Sequence, residues 1–526
     1  MSAEEDSQTT ESPPASENMP LSFQSPPSDV NFEELLKFFA VGVKIGPTYD
    51  LLQMQCIQLI NRDYDTLVID AKGSLCSSYP RQIIVPCAEK YPHPSFSSVS
   101  PDLAKALSSE TDLHNLFMTS KPARCRERFV VPVFLFNNKV VCRSATLSTY
   151  LESVGRQVLS SGRQVLSSVT GSVRPRTSEG SDSVATDSEP LTVEREQEED
   201  EQQQQQPPTQ AQELPEQQEV GDQEPMAEPA EPGLEPEEEQ VPAAVDKKNL
   251  PLDAFARHSD ARLMTHLNVG EIFDLMVEDK KVKYMLYCSS SEKVDEYNLY
   301  CNFHINCIPY PGCEYFKEVA HNKFNPEGMI FNWEQPAVTS QCQIPYKSNL
   351  DIDWSQYKTW DLAQLTQNYL LLILHCLADK NSSAGVLVHC ISGWDRTPMF
   401  ICLLRLSLWA DGAIHQSLCA REMLLLTLAY DWMLFGHQFQ TRLAAGEPIF
   451  YFCFNFLRFI EDERYSVIPS DKADDSSRQT RKGRLSEIRE LFLSIYQKAE
   501  SHGHFAPSHW SLGNAVLSSV RTYLQV

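Results

Sequence analysis

Residues 388 to 398 read VHCISGWDRTP. Cys390 and Arg396 stand six positions apart, with Gly393 midway, between the wholly apolar run VLVHC and the pair Thr397-Pro398. With fifteen cysteines in the chain that spacing arises by chance, so the surroundings must give it meaning. An apolar run of that length suits a buried central strand, and Thr-Pro suits the start of a helix. A strand-to-helix loop points successive backbone N–H groups into one concavity, and the helix dipole favours an anion there. Gly393 lets the backbone turn and approach a ligand without a Cβ in the way.

In such a loop Cys390 is expected to ionise, and the thiolate is the nucleophilic form. Arg396 would grip two oxygens of a tetrahedral phosphate in its planar fork. The implied reaction has two steps: the thiolate displaces an alcohol from phosphorus to give a phosphocysteine, and water then hydrolyses it. Arginine and loop amides neutralise the developing charge, so the chemistry requires neither metal nor cofactor. Ile391, Ser392, Gly393, Trp394, Asp395 and Arg396 form the expected phosphate-binding set. Asp395 offers a general acid for the leaving oxygen; its competing roles are pairing with a cation or capping the next helix. Thr397 either hydrogen-bonds the thiolate or caps that helix. His389 points to the other side of its strand and braces the loop. Trp394 either walls the pocket or packs.

Several elements must position these residues. TPMFICLLRLSLWADG is apolar nearly all round and is predicted to be an interior helix, with Thr397 at the cap and Arg405 paired to a buried carboxylate. TWDLAQLTQNYLLLILHCLADK predicts a second buried helix, too short in its apolar part to cross a bilayer, so no transmembrane segment is expected. Before them, FEELLKFFAVG and TYDLLQMQCIQLINRDY have helical spacing, TLVID and RQIIVP are strand-like, and a helix is expected from Ser100 toward Met118. RFVVPVFLFNNKVVCRSATL predicts two strands joined by an Asn-Asn turn. The tail GRLSEIRELFLSIYQKAE is amphipathic and is expected to dock on the domain. The chain thus divides into a disordered leader (1–30), a mixed α+β module (31–150) whose end from about 120 fits the next domain, an acidic Gln/Glu/Pro-rich insert (151–248), a catalytic domain (249–465) and a partly helical tail (466–526).

Composition excludes other classes. The net charge of −26 is concentrated: residues 191 to 240 hold seventeen acids against the single Arg195. The mildly acidic remainder lacks the basic face that nucleic acid requires. The acidic start has no apolar core and is expected to be neither a secretory nor a targeting signal. Two copies of GRQVLSS (155–161 and 162–168) open the insert, which cannot bury enough apolar surface to order itself. Scattered cysteines without CxxC pairs indicate reduced thiols, and no His/Cys cluster has zinc-like spacing.

VHCISGWDRTP resembles the signature of the myotubularin lipid phosphatases, a branch of the cysteine-dependent C-x5-R phosphatases. LLRLSLWADG, AYDWMLFGH, IPYPGCEYFKE, IDWSQY and RSATL extend the resemblance to one divergent member of that family across most of residues 250–465 and part of 120–150. It implies an α/β fold with a central sheet flanked by helices. The implied activity removes the 3-phosphate from phosphatidylinositol 3-phosphate and phosphatidylinositol 3,5-bisphosphate at the cytosolic face of endomembranes, by a peripheral cytoplasmic enzyme. It also implies Asp395 as acid and matches Arg442, in GHQFQTR, to an arginine that maintains the substrate site; a surface ion pair is the other reading. Two departures stand out. Ser392 replaces an aspartate that most members carry, leaving more of the acid role to Asp395. Residues 32–118 look helical where the family usually has a β-rich lipid-binding module. A protein tyrosine or dual-specificity phosphatase, and an inactive lipid-binding scaffold, are the alternatives.

Overall fold

Proline and glycine at 46–47, followed by apolar residues at helical spacing, start the second of two N-terminal helices, α1 (Phe32–Val41) and α2 (Pro47–Asp63). The computed structural model describes residues 31–41, 46–70, 75–96, 109–148, 252–283, 286–468 and 475–505. An antiparallel hairpin, β1 (Tyr64–Asp70) and β2 (Gln82–Glu89), follows α2. Helix α3 (Glu110–Ser120) is capped by Ser109, whose hydroxyl accepts from the Asp112 amide at 3.3 Å. The helix start expected at Ser100, the leader, the insert and the GRQVLSS copies lie outside the described residues.

The predicted Asn-Asn hairpin is present as β3 (Val131–Phe136) and β4 (Lys139–Ala145). Asn137 and Asn138 both have positive φ, 54° and 57°, the conformation that lets a two-residue turn follow the strand twist. After the short β5 (Leu147–Ser148) and α4 (Leu252–His266) come β6 (Val269–Asp274), β7 (Lys280–Lys283), β8 (Leu286–Ser290) and β9 (His304–Cys307). Helices α5 (Phe316–His321) and α6 (Leu362–Ala378) lead to β10 (Gly385–Cys390). Then follow α7 (Arg396–Ala410), α8 (Ala420–Leu426) with a π-helical continuation at Thr427–Leu434, α9 (Phe439–Ala445), α10 (Ile449–Asn455) and α11 (Asp475–Ser501).

The main sheet has the order β3-β4-β10-β6-β9, with β10 at its centre, parallel to β4 on one side and β6 on the other. All six residues of β10 are buried, which is why its sequence is continuous rather than alternating. Strands from residues 131–145 and from 269–390 share this one sheet, and all described residues belong to the unit formed by 1–160 and 249–526. The fold is thus mixed α/β around a central sheet.

Every residue of α7 is buried, as its apolar sequence requires. Its cap differs from expectation: Asp395 occupies the N-cap position and Thr397 lies one residue inside the helix, because the loop residues run straight into the helical turn at Arg396. Arg405 finds its predicted carboxylate in Asp431, with bonds of 2.9 and 2.8 Å. The amphipathic tail does dock: Leu485, Ile488, Phe492, Tyr496 and Ala499 of α11 are buried, and Arg481 reaches Asp411 at 2.6 Å. Among the described residues no helix is long and apolar enough to cross a membrane.

Candidate active site

Strand β10 ends on Cys390, which is buried, and six residues later the chain turns into α7 at Arg396. Gly393 makes the turn possible. Its φ is +68°, and a Cβ there would lie 2.6 Å from the Ser144 carbonyl oxygen of β4. Arg396 Nη1 donates to the Leu275 and Tyr310 carbonyls at 2.8 and 2.9 Å, so the guanidinium is fixed from the β6 side. Burial alone would raise the Cys390 pKa. The Arg396 charge and the Thr397 hydroxyl and amide outweigh it, and the thiol is shifted below its ordinary value. Reciprocally, although burial opposes the Arg396 charge, Cys390 helps to raise its pKa.

Asp395 faces a different environment. Arg442 grips it with two bonds, Nη2 to Oδ2 at 2.9 Å and Nε to Oδ1 at 3.3 Å, while His437 Nδ1 lies 3.0 Å from Oδ1. The same His437 nitrogen is 3.0 Å from the Trp394 carbonyl. Arg442 also bonds Glu447 at 2.7 Å, and Lys317 reaches Glu447 at 3.3 Å. Burial pushes Asp395 toward the neutral form, but Arg442 and His437 overcome it and hold the carboxyl far below the usual carboxylate range. The resting group is therefore a carboxylate, and a proton must reach it before it can act as an acid. The Arg442 pair is not a surface bridge, since the two side chains are 16% and 9% exposed.

The loop is also held by three arginines that motif reading missed. Arg128 Nη2 and Arg143 Nη2 both donate to the Gly393 carbonyl, at 3.0 and 3.1 Å. Arg128 further bonds the Phe435 carbonyl at 2.8 Å, and Arg143 the Asp431 carbonyl at 2.6 Å, tying the loop to the segment after α8. Arg126 Nη1 donates to Ser392 Oγ at 2.7 Å and lies over the Trp394 ring at 4.6 Å. Trp394 is accordingly mostly buried beneath a guanidinium. The signal was a cluster of arginines in ARCRERF and CRSATL, separated from the loop by some 250 positions.

His389 lies behind the loop, on the far side of its strand end. It is buried, with Nε2 3.0 Å from Glu292 and Nδ1 3.8 Å from Asp274. Burial favours the neutral ring, but the two carboxylates raise its pKa above the ordinary value. Glu292 also contacts Arg124, which binds Asp260 at 2.6 Å. Against burial, His389 and Arg124 pull Glu292 down to about 2. A strand-end cysteine thus sits on a buried network of alternating charge.

Residues 362–503 match the family model described as the Myotubularin-like phosphatase domain. The chain is 40% identical over 453 residues to the Mus musculus protein named phosphatidylinositol-3,5-bisphosphate 3-phosphatase MTMR14, covering 84% of this chain and 59% of that one. The Homo sapiens protein of the same name is 39% identical over 459 residues, 85% of this chain and 60% of its own. Myotubularin of Rattus norvegicus is 40% identical over 73 residues, 14% of this chain and 11% of that one. The alignments with the first two relatives therefore span about three fifths of those proteins' lengths.

Proposed function

We propose that this chain, which carries a myotubularin-like phosphatase domain, removes the 3-phosphate from phosphatidylinositol 3-phosphate and phosphatidylinositol 3,5-bisphosphate. The observation that carries the reading is a buried thiol at the foot of a glycine-turned loop ending the central strand, with Arg396 closing the loop and, with Thr397, shifting the thiol below its ordinary pKa. The names of the two long-matching relatives favour the lipid headgroup over a phosphopeptide.

In this reading the loop amides of residues 391–395 and the Arg396 fork bind the phosphate, and Cys390 Sγ attacks phosphorus in line with the inositol oxygen. The S–P bond forms as the P–O bond breaks, giving phosphocysteine. Asp395 protonates the departing oxygen. Its resting charge means that the proton is taken up with the substrate: a phosphate dianion beside the carboxylate raises its proton affinity. After the alcohol leaves, the ionised carboxylate is the form that accepts a proton from the attacking water. Water cleaves the S–P bond and restores the thiolate. His389, Thr397 and Arg442 act through Cys390 and Asp395. The substrate places the enzyme peripherally, at the cytosolic face of endomembranes, and the chemistry uses no cofactor.

The test is phosphate release from a panel of short-chain phosphoinositides and a phosphotyrosine peptide, wild type beside Cys390→Ser. The expected result is release confined to lipids bearing a 3-phosphate and abolished by the substitution. Preference for the peptide would overturn the substrate, and equal activity of the variant would overturn the mechanism.

A further inference from the structure

Two groups of metal-ligating side chains converge among the described residues. One, Asp274, Glu292 and His389, is the buried network behind Cys390; Arg124 already occupies Glu292, and His389 supplies the balancing charge. The other joins Glu33, in the first turn of α1, to His502 and His504, just past the end of α11.

The three donors of this second group are held by the fold. The Glu33 amide is bonded to the Asn31 side chain at 3.1 Å, fixing the start of α1. Beyond α11 the chain turns through Gly503 at φ +70°, and its amides stay bonded to the helix, Gly503 N to Glu500 O and His504 N to Ala499 O, each at 3.0 Å. Phe505 then anchors the turn on Tyr496 and Phe439, with ring centroids 4.9 and 5.5 Å away. As a result both imidazoles face one carboxylate oxygen: His502 Nδ1 contacts Glu33 Oε1, and His504 Nε2 is 3.0 Å from the same atom. Around a tetrahedral ion with bonds of about 2.0–2.1 Å, neighbouring donors lie roughly 3.4 Å apart, so a small outward shift would admit one. Among the described residues, the ion pairs of Glu33 are to the two histidines.

We propose that Glu33, His502 and His504 form a binding site for a divalent transition metal of the zinc class, which clips the first helix to the end of the last. Two imidazoles, which are borderline donors, together with one carboxylate make a ligand set suited to such ions, whereas calcium and magnesium take oxygen shells. Three protein ligands leave a fourth position for water. The clip also bears on the wall behind the loop. Phe39 of α1 packs on Phe439 and Phe450, and Phe450 stacks on His437 at 5.8 Å, the residue that holds Asp395.

The test uses the full chain stripped by a chelator and titrated with Co2+, then with Zn2+ as competitor. The variants are His502→Ala/His504→Ala and Glu33→Gln. The fifteen cysteines also take cobalt, but thiolate ligation gives a near-ultraviolet charge-transfer band that a nitrogen and oxygen site lacks. The expected result is one equivalent of tetrahedral Co2+, seen in the visible without that band and displaced by zinc, absent from the double variant and weakened in Glu33→Gln. Zinc should raise the Tm of the wild type more than that of either variant. Equal visible spectra and equal zinc-dependent Tm in wild type and Glu33→Gln, whose near-isosteric side chain preserves packing, would overturn the site even if the double variant failed to fold.

Discussion

Arg405–Asp431 and Arg442–Asp395 are the same pair chemically, a two-bond guanidinium–carboxylate contact with a histidine as third member. Arg405 binds Asp431 at 2.9 and 2.8 Å and reaches His415 at 2.8 Å. Arg442 binds Asp395 at 2.9 and 3.3 Å, with His437 at 3.0 Å. The difference is place. The first pair is wholly excluded from solvent, and Arg405 also holds the Val133 carbonyl, joining α7 to the edge strand. There burial and the Arg405 charge keep His415 far below its ordinary pKa, a neutral acceptor locked in the core. The second pair stands partly exposed at the end of the phosphate-type loop, and Arg442 hands part of its charge to Glu447. One contact is a staple and the other a charge that a ligand can redistribute.

The largest expected effect breaks the staple. Arg405→Met leaves Asp431 buried and unpaired, and should cost about 3–5 kcal/mol of stability, read from the urea midpoint. A loss under about 1 kcal/mol would remove the distinction between the two pairs. Arg442→Met should cost only about 1–2 kcal/mol, because His437 remains, yet lower turnover about a hundredfold. The reverse pattern, large instability with turnover intact, would make this pair a second staple. Asp395→Asn should slow a lipid substrate about a hundredfold and an aryl phosphate only severalfold, since the aryl leaving group needs little protonation. Equal losses on both would assign Asp395 a positioning role. The smallest effect concerns Cys390. Its pKa is lowered, so the thiolate fraction is retained as pH falls below the ordinary thiol midpoint, and iodoacetamide should label it with a midpoint below that of an unperturbed thiol. Thr397→Val should move that midpoint upward by a fraction of a unit. A wild-type midpoint above the ordinary value would mean that burial, not Arg396, decides the charge.

Local signals showed where the loop lies but not what supports it. The continuous apolar run of β10, the Asn-Asn turn and the all-round apolar α7 each state their environment within a dozen residues, and Arg405 inside an apolar helix demands a carboxylate wherever it lies. Nothing local says that the carboxylate is Asp431. Thr397-Pro398 suggested a cap two positions too late: the helix starts at Arg396 behind Asp395, whose side chain is held by Arg442 and caps nothing. Asp395 looked like a ready acid for the same reason: sequence shows its place in the loop, while its charge depends on residues 437 and 442. Arg128 and Arg143 converge on Gly393 only because β3 and β4 join β10 across the long intervening tract. The cluster of Glu33, His502 and His504 joins positions nearly the whole chain apart, beyond any spacing rule.

The most direct measurement is rapid acid quenching of the full chain mixed with phosphatidylinositol 3-phosphate carrying a radiolabelled 3-phosphate. Label should be trapped on the protein as a thiophosphate ester in the peptide containing Cys390, appear before free phosphate, and be absent in Cys390→Ser. Free phosphate released with no protein-bound label, or label retained in Cys390→Ser, would contradict the phosphocysteine mechanism.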